Sequence, residues 1–450
     1  MHREFIYLLV LLFVILISFI LLKRPIYESM FTGFLVMVFL LDKKEKLFYY
    51  LIKPSTNTLF YAIVAFLSLA FILTKTQVVR AIIDMLLALV GRFPGGAGYV
   101  ALFSSTFMAA LSGSGPGNVA ATGVFTIPTM IESGFPRALA ATVEMSASSL
   151  GSMIPPSGTI ILAFGILDSL YPGTYSLSSF WLMVWAVGLW FILQRLITLF
   201  FLCKKYKVRP VNKEKIPSLK KVLRNDWKAL ILPLLIFLPL YLDFSLEDQI
   251  VARLGEAGAS AFSDSIILFT PGLAALYALA ISWKKLKADR IRLVGIFTEA
   301  VETIVPVAAT IYFAYSISYL FGDIDMGGTL KLYVESLNMT KLQLALLLPI
   351  FLTFLGMILP GSSIVAIFGG AVIASLAAIG IDPFITAAVL PALTGSLAGM
   401  TPPLAIAMYT AMGIAGSGMK ETSKLATVWV ILHLLVAILI LLSILPILKV

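Results

Sequence analysis

The sequence predicts an all-α integral membrane protein, and three observations carry that prediction. Its 450 residues are 60% hydrophobic and only 12% charged, with a mean hydropathy of +1.01, whereas soluble domains carry about 25% charged residues. The apolar residues fall in long runs, not in the roughly ten-residue alternating segments of a transmembrane β-barrel. Matching positions of the two halves are interrupted by Gly, Pro and Ser. With no water in the hydrocarbon layer, such a chain closes its backbone hydrogen bonds within each segment, which means helices. This composition excludes a soluble enzyme and a nucleic-acid binder. A single cysteine, Cys203, excludes a disulfide framework, and two histidines, His2 and His433, argue against a histidine metal centre. No glycine-rich nucleotide loop or zinc motif is present, so ATP hydrolysis is not encoded.

The first run, from about Phe5 to Leu22, reads as a retained helix, because it is longer than a signal-peptide core and lacks a small-residue cleavage site. A second run ends at Asp42-Lys43-Lys44-Glu45-Lys46. Others follow near 58–76, 98–112, 118–132, 137–150, 156–170, 176–202, 229–242, 265–283, 293–321, 342–359, 363–379, 384–398, 403–416 and 425–449. The shorter ones, broken by Gly, Pro and Ser, read as re-entrant hairpins and discontinuous helices, since irregular backbone at membrane depth survives only inside protein or around a cavity. The expected division is 1–57 as N-terminal scaffold helices, 58–203 as a first repeat, 204–262 as a basic loop and linking helix, and 263–450 as a second repeat.

Charge sets the orientation. Lys204 to Lys228 carries ten Lys or Arg, and Trp283 to Arg292 carries five; both segments are expected to be cytoplasmic. The net charge of +10 is therefore a topology signal. Asp243 to Asp264, read as a loop, holds five acidic residues against Arg253, and Asp323-Ile324-Asp325 is acidic too. Both fit the opposite face.

The two halves carry corresponding breaks. Ser149-Leu150-Gly151-Ser152-Met153-Ile154-Pro155-Pro156 is matched by Ser396-Leu397-Ala398-Gly399-Met400-Thr401-Pro402-Pro403, and Pro136 and Pro383 lie equally far ahead of the two double prolines. Upstream stand Ser112-Gly113-Ser114-Gly115-Pro116-Gly117-Asn118 and Pro360-Gly361-Ser362-Ser363. Interrupted hydrophobic segments at matching positions mark the binding site of a secondary transporter. Close packing of small residues is the bland alternative, and the pairing of two such clusters with two double-proline breaks argues against it.

The residue types specify the chemistry. A small hard cation such as Na⁺ needs several oxygen ligands, and unwound backbone supplies carbonyls without placing a full charge in the membrane. The hydroxyls of Ser112, Ser114, Ser149, Ser152, Thr394, Ser396 and Thr401 and the amide oxygen of Asn118 are candidate ligands. Gly113, Gly151, Pro155, Gly356, Pro360, Gly361, Ser362, Met400 and Pro402 complete the candidate cation set. Half-helices starting after the breaks aim free N–H groups and a positive dipole end at the cavity, favouring an anion. Gly115, Pro116, Pro156, Ser157, Ser363 and Pro403 are the candidate substrate contacts. Glu144 lies within an apolar segment and is a possible coupling residue; pairing with a hairpin residue or Arg137 is the structural alternative.

At these residues the chain resembles the large membrane (permease) subunit of a tripartite ATP-independent periplasmic (TRAP) transporter, of the ion transporter superfamily. The likeness runs from about residue 60. It includes Arg80-Ala81-Ile82-Ile83-Asp84 with Leu89-Val90-Gly91, Ser112-Gly113-Ser114 through Gly123 to Ile127-Pro128, and Ser148 to Gly151 with Pro155-Pro156-Ser157. It continues with Leu355-Gly356-Met357, Gly380-Ile381-Asp382-Pro383, Thr401-Pro402-Pro403 and Gly413-Ile414-Ala415-Gly416. The resemblance implies an elevator-type transport domain of two inverted repeats on a scaffold in the inner (cytoplasmic) membrane. It also implies Na⁺-coupled import of a small organic anion, with no organic cofactor. The implied partners are an extracytoplasmic substrate-binding protein, a separate small four-helix membrane subunit and membrane lipid, with no nucleic acid. Where many relatives have carboxylates, this chain has Asn118 and Pro360, so it is expected to rely on neutral oxygens. A stand-alone ion-coupled carboxylate carrier or antiporter of the same superfamily is the alternative. No Ser/Lys, Ser/His or paired-Asp constellation of an intramembrane enzyme is found, and a channel is disfavoured by a midplane site built from broken helices.

Other residues read as structural. Arg80 and Asp84 form an i,i+4 pair on an interfacial arm helix. Glu299 and Glu302, close to the basic Lys284–Arg292 segment, read as facing cytoplasmic water. His433 reads as a packing histidine, and Trp181, Trp185 and Trp190 as interface belts or packing against the small subunit.

Overall fold

The computed structural model describes residues 3–76, 78–113, 115–288, 293–402 and 405–447. All regular structure among them is helical. The N-terminal elements are α1 (Arg3–Leu16), continued by a π turn to Leu21, α2 (Ile26–Leu40) and the short α3 (Leu47–Ile52). Then come α4 (Thr58–Lys75), whose first turn is capped by the Asn57 side chain, and α5 (Val78–Val90). The first hairpin is α6 (Gly96–Ser112) and α7 (Gly115–Glu132). After it, α8 (Arg137–Ser149) gives way to a 3₁₀ segment, Leu150–Met153, before α9 (Gly158–Leu170) and the long α10 (Leu177–Tyr206).

The link between the halves contains α11 (Leu219–Leu230), α12 (Leu232–Ser245) and α13 (Glu247–Ala288). The second half contains α14 (Leu293–Gly322), α15 (Met326–Ser336) and the hairpin α16 (Lys341–Gly356) and α17 (Gly361–Ala378). Next, α18 (Pro383–Pro391) opens into a π turn, Ala392–Ser396, followed by α19 (Leu397–Met400), α20 (Ile406–Ala415) and α21 (Met419–Leu441). A hairpin, a helix, an irregular break and a further helix thus occur in that order in each half.

Among the described residues eight helices are long and apolar enough to cross a bilayer, or up to nine if α11 and α12, bent by 50°, form one span. The protein is therefore a multi-pass membrane protein. Burial sorts the spans: 89% of the apolar window in Arg137–Leu170 is buried within the protein, against 33% in Glu247–Lys284. The broken helices are the interior, and α13, packed on α4 and α12, is periphery. The hairpins, α8, α9, α18 and α20 pack around the two breaks.

Two expectations meet a different structure. Asp243 to Asp264 is not a loop: α12 carries helix to Ser245 and α13 resumes at Glu247, with only Gly255 non-helical inside it (φ 71°, ψ 170°). Acidic residues are compatible with helix, and the glycine is the residue that takes the left-handed φ. Second, α3 and α15 fall outside every apolar run, because α3 is only six residues long and α15 carries polar residues. The basic Lys43–Lys46 cluster joins the acidic turn: Lys46 Nζ lies 2.8 Å and Lys43 Nζ 3.2 Å from the Asp323 carboxylate. The Arg80–Asp84 pair is present at 3.9 Å on α5, and Glu299 pairs with Lys75 of α4. Trp190 is tied to this chain's own terminal segment, donating to the Pro446 carbonyl at 2.9 Å.

A cavity between two broken helices

Each hairpin turns where backbone must pass close to backbone. In the first, α6 is terminated by Gly113 in the left-handed region (φ 61°), its N–H bonded to the Ala109 carbonyl at 2.7 Å, and a side chain there would be strained. In the second, Pro360 precedes the first turn of α17. A Cβ on Gly361 would stand 2.2 Å from the Gly395 Cα, so only glycine lets this hairpin touch the second break. Gly151 does the same in the first half, where a Cβ would meet the Ala109 carbonyl carbon at 2.2 Å.

The two breaks face one another. Ser152 Oγ lies 3.1 Å from Ser396 Oγ, and Ser396 Oγ donates to the Ser149 carbonyl at 2.8 Å. Ser149 Oγ meets Met400 Sδ at 3.3 Å. Residues some 244 positions apart in sequence are thus joined by three contacts through four side chains. The first break continues through extended Ile154 and a cis Pro155-Pro156 bond to Ser157, from which α9 starts.

Between the breaks, the hairpins and two further helices lies a cavity of about 350 Å³, within the size range of small-molecule sites. Eight predicted residues line it: Gly113, Gly115, Pro116, Ser149, Ser152, Pro360, Gly361 and Ser362. Thr159 and Gly158 from the start of α9, with Gly395, Ala398 and Gly399 from the second break, complete its polar wall. The apolar wall is Ile63 and Leu67 of α4, Val307 and Ile311 of α14, and Ile406 of α20. None of the described lining side chains is charged. Hydroxyls and backbone are what this cavity offers, which suits a small hard cation and the hydrogen-bonding groups of a small solute.

Other predicted residues stand behind the wall. Asn118 is buried with its amide Nδ2 donating to the Ser105 carbonyl at 3.0 Å and Ser148 Oγ at 2.8 Å; it does not line the cavity. Thr394 and Thr401 bond their own helices at the Leu390 and Leu397 carbonyls. Ser157 Oγ donates to the Ser152 carbonyl at 3.2 Å. Gly356 packs closely on Ala398, and Ser363 is buried with no partner for its hydroxyl. Pro155 and Pro156 are buried, and Pro402 is half-buried. Ser114 and Pro403 lie outside the described residues, as does the side chain of Ser112.

Glu144 sits at the heart of this support. It is completely buried on α8. Its Oε1 accepts from Ser105 Oγ at 2.6 Å, Thr122 Oγ1 at 2.7 Å and Ser148 Oγ at 3.2 Å, and Oε2 accepts from Thr126 Oγ1 at 2.6 Å. The partners come from the hairpin and its own helix, as the pairing alternative anticipates, and Arg137 is not among them. Four hydroxyl donors around an acceptor-only group form a satisfied carboxylate site, with no counter-ion among the described residues. Sequence reading misses Ser105, Thr122 and Thr126, of which only the i,i+4 spacing of Thr122 and Thr126 on α7 is a visible signal.

It also misses Arg195. This residue of α10 is completely buried, with one guanidinium nitrogen bonded to Gln194 Oε1, another 3.9 Å from Met400 Sδ, and Nε without any partner. His433 is buried as expected, its Nε2 2.9 Å from the Ala392 carbonyl at the start of the π turn.

A family model described as the tripartite ATP-independent periplasmic transporter, DctM component, matches residues 5–448. The chain belongs to this family. It is 23% identical over 405 residues to a C4-dicarboxylate TRAP transporter large permease protein of Pseudomonas aeruginosa, covering 90% of this chain and 89% of that one. An isethionate TRAP transporter permease protein of Oleidesulfovibrio alaskensis is 23% identical over 384 residues, covering 82% of this chain; the match spans 54% of that relative's length. A sialic acid TRAP transporter large permease protein of Vibrio cholerae is 21% identical over 355 residues, covering 78% of this chain and 77% of that one. Among solved structures, the YdaH transporter of Alcanivorax borkumensis superposes with a TM-score of 0.60 at 17% identity, covering 90% and 89% of the two chains. MtrF of Neisseria gonorrhoeae superposes with a TM-score of 0.57 at 16% identity, covering 89% and 84%. These likenesses establish the fold of this DctM-family chain. The family consists of transporter permeases, which are not enzymes in general.

Proposed function

We propose that this DctM-family permease imports a small organic anion across the inner membrane, coupled to Na⁺, as an elevator whose moving part is formed by two inverted repeats. The observation that carries the reading is the cavity shared by the two breaks, closed across the halves by Ser152 and Ser396. Its hydroxyls and free carbonyls coordinate Na⁺, with Ser149, Ser152, Ser362 and Thr159 nearest the solute. The helix starts at Gly115, Gly158 and Gly361 present N–H groups and positive dipole ends to the anion. Each net positive charge moved inward through 100 mV supplies roughly 2.3 kcal/mol, so Na⁺ carried in excess of the anion's own charge, together with the sodium gradient, drives accumulation without ATP. The solute is delivered by an extracytoplasmic binding protein, and a separate small membrane subunit completes the scaffold. Relatives named for C4-dicarboxylates, 2,3-diketo-L-gulonate, sialic acid and ectoine support a carboxylate-bearing substrate.

The test is uptake into proteoliposomes holding this chain and its small subunit, with candidate binding proteins preloaded with labelled carboxylates and Na⁺ varied at fixed potential. Uptake that requires one binding protein and collapses in choline medium is expected. Equal uptake in choline refutes sodium coupling, and uptake of free carboxylate without a binding protein identifies a stand-alone carrier.

A further inference from the structure

Away from the central cavity, two other cavities meet at one buried carboxylate. The first, about 340 Å³, lies between α10 and α12 and is walled by Trp181, Leu182, Trp185, Phe237 and Leu240. The second, about 770 Å³, is lined by Asp168, Glu247, Glu256 and Asp264 among others. Asp243 and Ser178 line both. Asp243 is only 4% exposed, and it accepts from Ser178 Oγ at 3.0 Å and Ser263 Oγ at 2.8 Å. Among the described residues no Lys, Arg or His makes an ion pair with it. Two neutral hydroxyls are weak compensation for a buried charge with four acidic neighbours around it.

A second, independent observation lies one turn further along α10. Trp181 is 6% exposed, and its indole N–H finds no acceptor among the described residues, although buried indole N–H groups usually have one. Ser178, Trp181 and Trp185 are spaced three and four apart and share one face of the helix, with roughly 4.5 and 6 Å of rise between them. From its outer end inward the groove therefore presents a carboxylate, then an unused donor, then an apolar wall where Trp185 and Phe237 pack edge to face with ring centroids 5.8 Å apart. The α10 end carrying Ser178 is opposite the one that leads into the basic Lys204–Lys228 segment.

We propose that this groove binds a phospholipid with a primary-ammonium headgroup: the ammonium on Asp243, a phosphate or ester oxygen on the Trp181 N–H, and an acyl chain beside Trp185 and Phe237. The order of parts along the groove is the order of parts in such a lipid. The acidic cavity selects the cationic end and rejects anionic headgroups, and a quaternary ammonium has no N–H to give the carboxylate. The assignment does not depend on what the central cavity transports.

The test titrates the purified full-length protein with phosphatidylethanolamine, phosphatidylcholine and phosphatidylglycerol of identical acyl chains, counting bound lipid by native mass spectrometry. The ethanolamine lipid is expected to bind about tenfold tighter than the choline lipid, the scale of one hydrogen bond to a charged group. Asp243→Asn is expected to bring that ratio to about one, and Trp181→Phe to weaken both lipids by a similar few-fold factor while keeping the ratio. Equal binding of the two lipids to the unaltered protein overturns the proposal, and so does a preference that survives Asp243→Asn. The unaltered protein alone decides the headgroup question, so a poorly folding variant leaves the test standing. Dodecylamine displacing the ethanolamine lipid at equal affinity assigns the groove to free amines and overturns its assignment to a lipid.

Discussion

The two halves break their helices in opposite senses and brace the breaks by opposite means. Leu150–Met153 tightens into a 3₁₀ segment, whereas Ala392–Ser396 loosens into a π turn, and both deviations recur at functional positions. The first break is braced from within its own half, where Glu144 gathers four hydroxyls from α6, α7 and α8. The second is met at its two ends by single side chains from other helices: His433 at the Ala392 carbonyl and Arg195 near Met400 Sδ. Among the described residues Glu144 and Arg195 are equally buried and equally without a salt bridge, yet one is saturated with partners and the other nearly bare. A buried charge integrated into a network supports the fold, whereas one left bare costs stability and is retained for another reason.

The largest effect is expected where the two breaks meet. Ser396→Val removes the hydroxyl that reaches both Ser152 and the Ser149 carbonyl and puts two methyls on the same Cβ. Uptake is expected to fall below detection, with any residual activity needing more than about tenfold more Na⁺, while the protein still inserts and purifies. Ser152→Val should behave alike if the halves act as one site. Full uptake by both variants would mean that these serines only pack helices.

Next in size is the contrast between the two charges. Glu144→Ala removes the acceptor that four buried hydroxyls share; Thr122 and Thr126 can turn back to the Asn118 and Thr122 carbonyls, so the cost falls mainly on Ser105 and Ser148, at about 1–3 kcal/mol for each unsatisfied donor, and a clear fall in apparent melting temperature is expected. Glu144→Gln, which keeps one acceptor oxygen, should fall between. Arg195→Met keeps an extended apolar side chain and removes a charge with almost no partners, so it is expected to be neutral or to stabilise by about 1 kcal/mol or more. Comparable destabilisation by Glu144→Ala and Arg195→Met in the same detergent would break the comparison.

The difference between the two regions also decides what can be read from sequence. Gly/Pro/Ser clusters announce a break because each residue type disrupts helix locally, so Gly113, Ser152, Gly361 and Ser396 are legible and the structure brings them together. The hydroxyls around Glu144 are not, because a serine or threonine in a helix commonly bonds its own backbone, and only the packing of three helices turns Ser105, Thr122 and Thr126 toward one carboxylate. Asn118 illustrates the same limit: its position beside the break is visible, and its engagement by Ser148 is tertiary. Arg195 resembles a snorkelling interfacial residue ahead of the basic Lys204 segment. Its burial depends on α21 and the second break closing over it. Asp243 to Asp264 reads as a loop through its charges, although only Gly255 interrupts the helix.

The smallest effect sharpens the comparison from the solvent side. Asp323, just beyond α14, accepts from Lys46 Nζ at 2.8 Å and Tyr50 Oη at 2.8 Å, and Lys43 Nζ lies 3.2 Å away. Those hydrogen bonds, Lys46 first and Tyr50 next, hold its carboxyl down to about 2 from an ordinary 3.8. A carboxyl depressed on folding contributes stability that is fully present above the ordinary value and is lost as pH falls toward the folded one. Between pH 5 and 8 the contribution is therefore constant. It is also modest, because the aspartate side chain remains 25% exposed and its lysine partners are 32% and 50% exposed, and exposed pairs of this kind give about 0.2–1 kcal/mol. Asp323→Asn is expected to lower the apparent melting temperature slightly and by the same amount at pH 5 and pH 8. The gap to the unaltered protein should narrow below pH 4 and shrink further in high salt. A gap as wide as that of Glu144→Ala, or one that grows on acidification, would mean that a solvent-facing network matters as much as the buried one.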